Sequence, residues 1–599
     1  MSPEAYDVII VGGGTSGLVL ANRLSEDSNL QVAVLESGQD RSGDANTLTP
    51  GAWPLLANSP SDWTFQTVPQ KDLTRQIKIP QGKALGGSSA INSFLFTSTS
   101  KATVDGWEKL GNSGWNYAAY EKALKKSFTL HKPGGVTEGH GPLQLTLHPA
   151  ESTLEKAWIN GLESLGFART DPLSGHLGGP NIAPESINPK TKQRSYAANA
   201  YLGPIRDRSN LTVRPETTVA KVLLERPRAG DEAVAKGVQI IAQDGSLQTI
   251  EARKEVIIAA GVINSPRLLE LSGVGGSELL QRLGINVIVD NPHVGENLQN
   301  HLFTGLVFEA NDDVGTIDAF FRQEPDAVGA ALQDYGTKGT GPMSTSNMIT
   351  MAQLPLPEFS TEEGRKELDQ LFVALDTDAK TQTQTPLSAS PAYLSAHKEF
   401  VRSILTDPSE GLGNYVFGSA YAPFDAPDPN YRAPGKHVSV AIELSHPLSR
   451  GSVHVTSADA AMHAGTSQGV AVDCRYLSNP LDLEVLARQV RFTEDIITRA
   501  EPMARHLKPY TKRFTDLDKA RDYVRRTADG AYHYTGTCSM MPRHLGGVVD
   551  DRLRVYGTSN LRVLDASIMP LEPTANPQAV VYGVAELGAS FIKDHLQGF

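Results

Sequence analysis

Short apolar runs punctuated by glycine dominate both ends of the chain. Asp7 to Val11 (DVIIV) is apolar and β-branched without alternation, the pattern of a strand buried on both faces of a parallel sheet. After Gly12, Gly13 and Gly14, the segment LVLANRLSED changes to a helical period with Leu18, Ala21 and Leu24 on one face. LQVAVLE then predicts a second strand ending at Glu36. A strand, turn, helix and strand follow one another within about thirty residues, as a βαβ unit requires. Further on, Val256 to Ala260 predicts another buried strand, Gly261 its exit, and Ser265-Pro266 the opening of a helix carrying Leu268, Leu269 and Leu271. NLRVLDASIMP (560–570) predicts a strand with Asp565 at its end, followed after TANPQ by the apolar helix AVVYGVAELGASFIKD. AIELSHPLSRGSVHV alternates in a way suited to strands of a second sheet. Between 306 and 440 the pattern weakens. TDAKTQTQTPLSASP (377–391) and YAPFDAPDPNYRAPG (421–435) read as long loops, either lids and substrate walls or surface excursions.

Composition narrows the class. The 599 residues are 40% hydrophobic and 20% charged, an ordinary globular balance. Fifty-five basic against sixty-seven acidic residues leave a net charge of −12, which disfavours nucleic acid and anionic membrane as partners. Cys474 and Cys538 are the two cysteines, too few for a disulfide framework or a Cys/His metal cluster, so no metal is expected. The start MSPEAYDVIIVGGG lacks a basic segment followed by an apolar one, and the ending DHLQGF matches neither an ER-retention nor a peroxisomal address. With no long apolar stretch either, the expectation is a cytoplasmic protein.

The candidate chemistry begins in the frame Gly12-x-Gly14-x-x-Gly17. Gly12 permits a tight turn, Gly14 lets the backbone approach a pyrophosphate, and Gly17 lets the helix pack against the sheet. The helix amides and dipole then face the anion, and Glu36 is placed to accept from an adenosine ribose. A lone glycine frame is weak, but this one has its strand, its helix and its acidic end. FAD and NAD share such a cradle, so the motif alone does not name the cofactor. IPQGKALGGSSAIN (79–92) adds two glycines and two hydroxyls beside Asn92, and HVGENLQNH (293–301) is a second polar loop. AYHYTGTCS (531–539) holds His533 with neither metal-ligand spacing nor helical period, so local pattern leaves open whether it is chemical or fills a turn.

Through DVIIVGGGTSG, SDWTFQT, GKALGGSSAIN, GVINSPRLLELSGVG, VGENLQNH, HPLSRGSV and HYTGTCSMM the chain resembles the glucose–methanol–choline (GMC) family of FAD-dependent oxidoreductases, from Asp7 to about Asp594 in the family's order. The resemblance implies an α/β plus α+β fold: a Rossmann-like FAD-binding domain interleaved with a substrate domain whose antiparallel sheet is covered by helices. It implies residues 1–305 mainly in the FAD-binding domain with inserted segments on the substrate side, 306–539 mainly substrate-binding, and 540–599 returning to the FAD-binding domain. By the same resemblance Gly12, Gly14, Gly17 and Glu36, with Thr15 and Ser16 inside the turn, match the ADP cradle. Gly86, Ser88, Ser89 and Asn92 match the flavin and pyrophosphate loop, and Val219, in the strand after Asn210, a backbone contact to adenine. Asp565 and Ala566 match a turn near the ribityl and pyrophosphate; Gln578 and Ala579 match one near the isoalloxazine. His533 matches the catalytic histidine and Asn576 its partner, which is His or Asn among members. Asp62 and Trp63 are expected to pack near the cofactor or the domain interface, and Trp63 is counted with the cofactor contacts. Three departures stand out: Gln81 replaces a frequent Arg, Asn300 replaces an Asp, and Ile91 stands where members with covalent FAD carry His. Non-covalent FAD follows from the last.

Alcohol oxidation by a flavin needs a base for the hydroxyl proton and a carbon-bound hydrogen aimed at flavin N5. On that requirement His533 is expected as the base and Asn576 as a partner able to donate to and accept from the substrate oxygen. The leading expectation is FAD-dependent oxidation of a small or medium organic alcohol, primary by expectation, with oxygen or another electron acceptor taking the electrons. A flavin-fold lyase or cyclase without net redox change is the alternative, because fold does not determine chemistry. Specialised metabolism is the expected setting. His301 is expected as a buried structural partner closing the cofactor channel, and Cys538 as a packing residue.

Overall fold

The computed structural model describes residues 4–598 apart from 151, 229, 243, 382–389, 427 and 429. Strand β1 (Glu4–Val11), helix α1 (Thr15–Leu24) and strand β2 (Val32–Leu35) form the predicted βαβ unit, with Glu36 one residue beyond its strand. Their apolar runs are buried because the strands lie in the middle of a seven-stranded sheet. Its other members are β3 (Leu211–Arg214), β4 (Thr218–Glu225), β5 (Val234–Ile241), β6 (Leu247–Ile258) and a short strand, Leu561–Val563. The order is β4-β5-β6-β1-β2-β3. The long β6 pairs in parallel with β1 from Ile250 to Ile258 and changes its other partner along its length: residues 247–251 pair antiparallel with β5, and 256–258 pair in parallel with Leu561–Val563. This brings the C-terminal segment beside the N-terminal cradle. Val219 lies in β4, one strand later than expected, because the chain turns through 215–217 after β3.

Helix α2 (Gly261–Leu271) begins four residues earlier than the sequence predicts, with Pro266 inside it. A proline there has no N–H for the Val262 carbonyl. The Thr537 hydroxyl takes that acceptor at 2.6 Å, so the helix continues and is joined to the loop that carries His533. Thr537→Val is expected to leave the buried carbonyl unpaired and cost about 1–3 kcal/mol, measured as a lower unfolding midpoint.

The second sheet is antiparallel and six-stranded. Strands β7 (Leu302–Glu309), β8 (Thr350–Leu354), β9 (Gly413–Gly418) and β10 (His437–Leu444) run in the order β7-β10-β9-β8, extended by Asp529–Gly530 beyond β7 and Pro180–Ile182 beyond β8. AIELSHPLSRGSVHV therefore divides: its first half is β10, whereas Gly451–Val455 pairs with Glu296–Leu298 and Val470–Asp473 in a separate three-stranded sheet. The expected loop at 377–391 is narrower than the sequence implies. A helix runs from Glu362 to Thr381, another starts at Pro391, and 382–389 lie outside the described residues. The described part of 421–435 has no regular structure. No helix among the described residues is long and apolar enough to cross a membrane.

His454 ties helix α2 to the three-stranded sheet. Its Nδ1 lies 2.7 Å from Glu270 of α2 and its Nε2 3.0 Å from Glu296. Burial alone would depress this imidazole, but hydrogen bonds to the two carboxylates push it up to about 9. A histidine raised in the folded state contributes stability fully below about 6.5 and loses it as pH rises through about 9. The thermal midpoint of the wild type should therefore fall between pH 6.5 and 9 more than that of His454→Gln, and parallel curves for the two proteins would count against the clamp.

Candidate active site

The glycine frame forms a close backbone contact between three segments. Gly12 has φ +108°, and a Cβ there would meet the Ala259 carbonyl oxygen at 2.4 Å. A Cβ on Gly17 would lie 1.9 Å from the Gly12 oxygen. Gly87 of the second glycine loop is held against Gly14, where a Cβ would approach the Gly14 Cα to 2.7 Å. Glu36 accepts from the backbone N–H groups of Gly13 at 2.8 Å and Gly38 at 2.7 Å. Burial pushes its carboxyl up to about 7 against those two donors. Each oxygen keeps a second lone pair for a ribose hydroxyl.

A cavity of about 490 Å³ extends from this cradle. Of the residues singled out in the sequence, Gly12, Gly14, Thr15, Ser16, Glu36, Trp63, Ser88, Ser89, Asn92, Val219, His533, Asp565, Ala566, Asn576 and Gln578 line it. Gly17, Gly86 and Ala579 do not; Gly17 serves helix packing, Gly86 makes a left-handed turn against the Tyr196 ring, and Ala579 is buried within the C-terminal helix. Asp565 stands just past its strand rather than in it and accepts from Gly261 N–H, the Ser265 hydroxyl and Ser567 N–H, so it joins that strand to the start of α2. Asp62 organises a turn by accepting from the N–H groups of Asn58, Thr64 and Gln81. Three buried polar atoms in the cavity wall have no partner among the described residues: Ser16 Oγ, Asn576 Oδ1 and Gln578 Oε1. Unpaired groups of this kind, beside a cradle where a Cβ on Gly12, Gly17 or Gly87 would clash with backbone, fit a long polar cofactor.

The reactive end is built from two histidines 232 residues apart. His533 Nδ1 is 2.9 Å from His301 Nδ1, and His301 Nε2 is 2.7 Å from the Pro573 carbonyl oxygen. On the other side Asn576 Nδ2 lies 3.0 Å from His533 Nε2. Burial lowers His301 to about 4 and, with His301 beside it, holds His533 well below the usual histidine range, so both rings are neutral at pH 7. The tautomers follow by elimination. A carbonyl accepts only, so the proton of His301 is on Nε2, and its bare Nδ1 must accept from His533 Nδ1–H. His533 Nε2 is left unprotonated, and its lone pair accepts from the Asn576 amide. The opposite amide orientation would demand a doubly protonated His301 in a site that opposes it. Asn576 thus spends its donor on the histidine, and only its unpaired oxygen is free for a substrate, a narrower role than the sequence implied.

Asn300 accepts from the His533 backbone N–H at 2.8 Å and donates to the Tyr476 hydroxyl, which explains why an amide can stand there in place of a carboxylate. His301 is buried as expected, but it is a direct partner of His533 and not only a loop closure. The cavity also takes in residues that sequence reading missed. Arg267 is held by His463 Nδ1 at 2.7 Å and by the carbonyls of Thr466 and Gln468. Trp53, Phe65, Phe94 and Tyr532 supply an aromatic lining. Tyr532 adjoins His533, and Phe65 and Arg267 lie within SDWTFQT and GVINSPRLLELSGVG, so these three carried a local signal that Trp53 and Phe94 lacked. Cys538 is fully buried and unbonded to another cysteine, a packing residue.

A dinucleotide cradle opening onto a neutral histidine fits the class of oxidoreductases that hold a dinucleotide cofactor. The family profile described as GMC oxidoreductase matches residues 6–303 with its N-terminal part and 447–585 with its C-terminal part, and the chain belongs to that family of FAD-dependent enzymes. It is 33% identical to the GMC oxidoreductase family protein Mala s 12 of Malassezia sympodialis over 98% of this chain and 92% of the relative. Its fold is similar to that of an FAD-dependent oxidoreductase from Chaetomium thermophilum, with TM-score 0.85, 26% identity, and 99% and 100% of the two chains covered. A fungal aryl-alcohol oxidase gives TM-score 0.83 at 25% identity, with 99% of each chain covered.

Proposed function

We propose that this enzyme oxidises an uncharged organic alcohol, preferentially a primary one, to its carbonyl, passing the electrons to oxygen or another acceptor. The observation that carries the reading is His533 Nε2 in the wall of the cavity that begins at the glycine cradle: it carries no proton, and its lone pair is held by the Asn576 amide until a substrate hydroxyl takes that place. FAD, when bound, supplies the hydride acceptor at N5. The substrate hydroxyl displaces the Asn576 N–H from His533 Nε2 and loses its proton there, the Asn576 oxygen is free to orient a donor on the substrate, and the apolar walls exclude water. The alcohol carbon gives up its hydrogen as hydride, so two electrons and two hydrogens leave and a carbonyl remains. Among the described lining residues the one arginine, Arg267, is engaged by His463 and backbone carbonyls, which leaves no free cation for a carboxylate substrate and favours a neutral one. Trp53, Phe65, Phe94 and Tyr532 suit an aromatic or otherwise apolar body.

The FAD contacts proposed are the cavity-lining residues named above, with Gly17 and Gly86 shaping the backbone around them. Ile91 lines the cavity and offers no nucleophile, which supports non-covalent attachment. The division of the chain into an FAD-binding part at both ends and a substrate part between is supported by the two sheets and their strands. The test is anaerobic addition of a panel of neutral alcohols to the FAD-loaded protein. Bleaching of the flavin absorbance by a primary alcohol is the expected result. Turnover of an added compound with no bleaching by any alcohol would replace this reading with lyase or cyclase chemistry.

A further inference from the structure

A neutral imidazole so strongly desolvated is a weak base unless something balances the charge it acquires. The molecule contains such a group in the second sheet. One side-chain nitrogen or oxygen from each of His301, Glu443 and His533 lies within 4.8 Å of the other two. Glu443 sits on β10 directly opposite Asn414 of β9, which is opposite Gln353 of β8, so all three side chains share one face of the sheet. They form a chain with a single direction. Asn181 Nδ2 donates to Gln353 Oε1, Gln353 Nε2 to Asn414 Oδ1, and Asn414 Nδ2 to Glu443 Oε2, each at 2.7 Å. All four side chains are buried. Amides aligned in this way polarise one another, and the alignment stabilises negative charge at the terminal carboxylate.

We propose that Glu443, held by the buried amides of Asn414, Gln353 and Asn181, is a positioning residue that supplies the counter-charge for the proton His533 takes from substrate. The inference rests on the oxidation reading above. In the step the substrate O–H proton moves to His533 Nε2, Nδ1–H stays on the bond to His301, and the Glu443 carboxylate remains a charge without accepting the proton. Burial pushes the Glu443 carboxyl up to about 7, opposed by the bond from Asn414, so its charge switches on within the working range. The groups facing this cluster from neighbouring elements are consistent with that assignment. His446 is lowered to about 3 by burial and the Glu572 carboxyl is raised by burial, so both are neutral. Arg450 is engaged by His397 and the carbonyls of Pro447 and Ser449, and Asp482 accepts from the Leu448 and Ser449 amides.

The experiment uses the FAD-loaded enzyme, with two readouts across pH 5 to about 9: the limiting rate of anaerobic flavin reduction, and the imidazole ¹⁵N resonances of His533 assigned by their loss in His533→Gln. In the wild type both should change through about pH 7, with reduction slower on the acid side. Glu443→Gln keeps an acceptor for Asn414 but removes the charge. It should abolish the inflection near 7 and lower the alkaline plateau about tenfold, with FAD still bound. Gln353→Leu leaves Glu443 and the site intact but cuts the chain, and should move the inflection upward by about half a pH unit. An inflection unchanged in Glu443→Gln, or unmoved in Gln353→Leu, overturns the proposal. The NMR titration needs no substrate, so absence of flavin reduction by every alcohol would reject the oxidation reading while Glu443 remained testable.

Discussion

His533→Ala is expected to slow flavin reduction by alcohol about a hundredfold or more while the purified protein keeps its FAD. The expectation rests on the division of labour in the site. His533 makes no hydrogen bond to the glycine cradle; its partners are His301, Asn576 and, through its backbone, Asn300. Removing its imidazole therefore deletes the lone pair that receives the hydroxyl proton and leaves the cradle's backbone contacts in place. The Asn300 bond is to a backbone N–H and survives the substitution, so the loop should keep its course. Rapid-mixing measurement of flavin bleaching reads the effect directly. Near-normal reduction would move the base elsewhere, whereas loss of flavin from the protein would mean that His533 serves binding.

Gly17→Ala should have the second large effect, on a different readout. The added methyl would be placed 1.9 Å from the Gly12 carbonyl oxygen and 3.5 Å from the Ala259 side chain. The first of these is backbone, so no rotamer relieves it, and α1 must move off the sheet. That motion carries the helix amides away from the position a pyrophosphate would occupy. The variant is expected to purify without flavin and to unfold at a lower temperature. Gly315→Ala, at a glycine with nothing within 4 Å of a Cβ, is the control and should retain full flavin. Wild-type flavin content in Gly17→Ala would remove the cradle from the account.

The cradle and its flanking elements were legible because the information is local. DVIIV, the glycine frame and LVLANRL each impose strand burial, turn geometry or helical period through near neighbours, and β1, α1 and β2 appear where the pattern puts them. Boundaries were less legible. Pro266 looked like a helix start, yet a hydroxyl from Thr537, far along the chain, takes the acceptor that the proline strands and lets the helix begin at Gly261. Gly451–Val455 has the alternation of a strand, but alternation does not say which sheet it joins. The aromatic residues that line the cavity belong to separate loops, and no spacing links them.

The sequence by itself determined that a βαβ cradle opens the chain and that a second glycine loop accompanies it, because residue type and short spacing already constrain the backbone there; that His533 and Asn576 match a catalytic pair came from the family resemblance and not from their spacing. Tertiary structure alone decided which nitrogen of His533 is unprotonated, since that follows from His301 and ultimately from the Pro573 carbonyl. It also set Glu443 beside the pair. That placement depends on strand register, where a shift of one residue would turn Glu443 to the other face of the sheet, and register is a property of the assembled sheet rather than of any one segment.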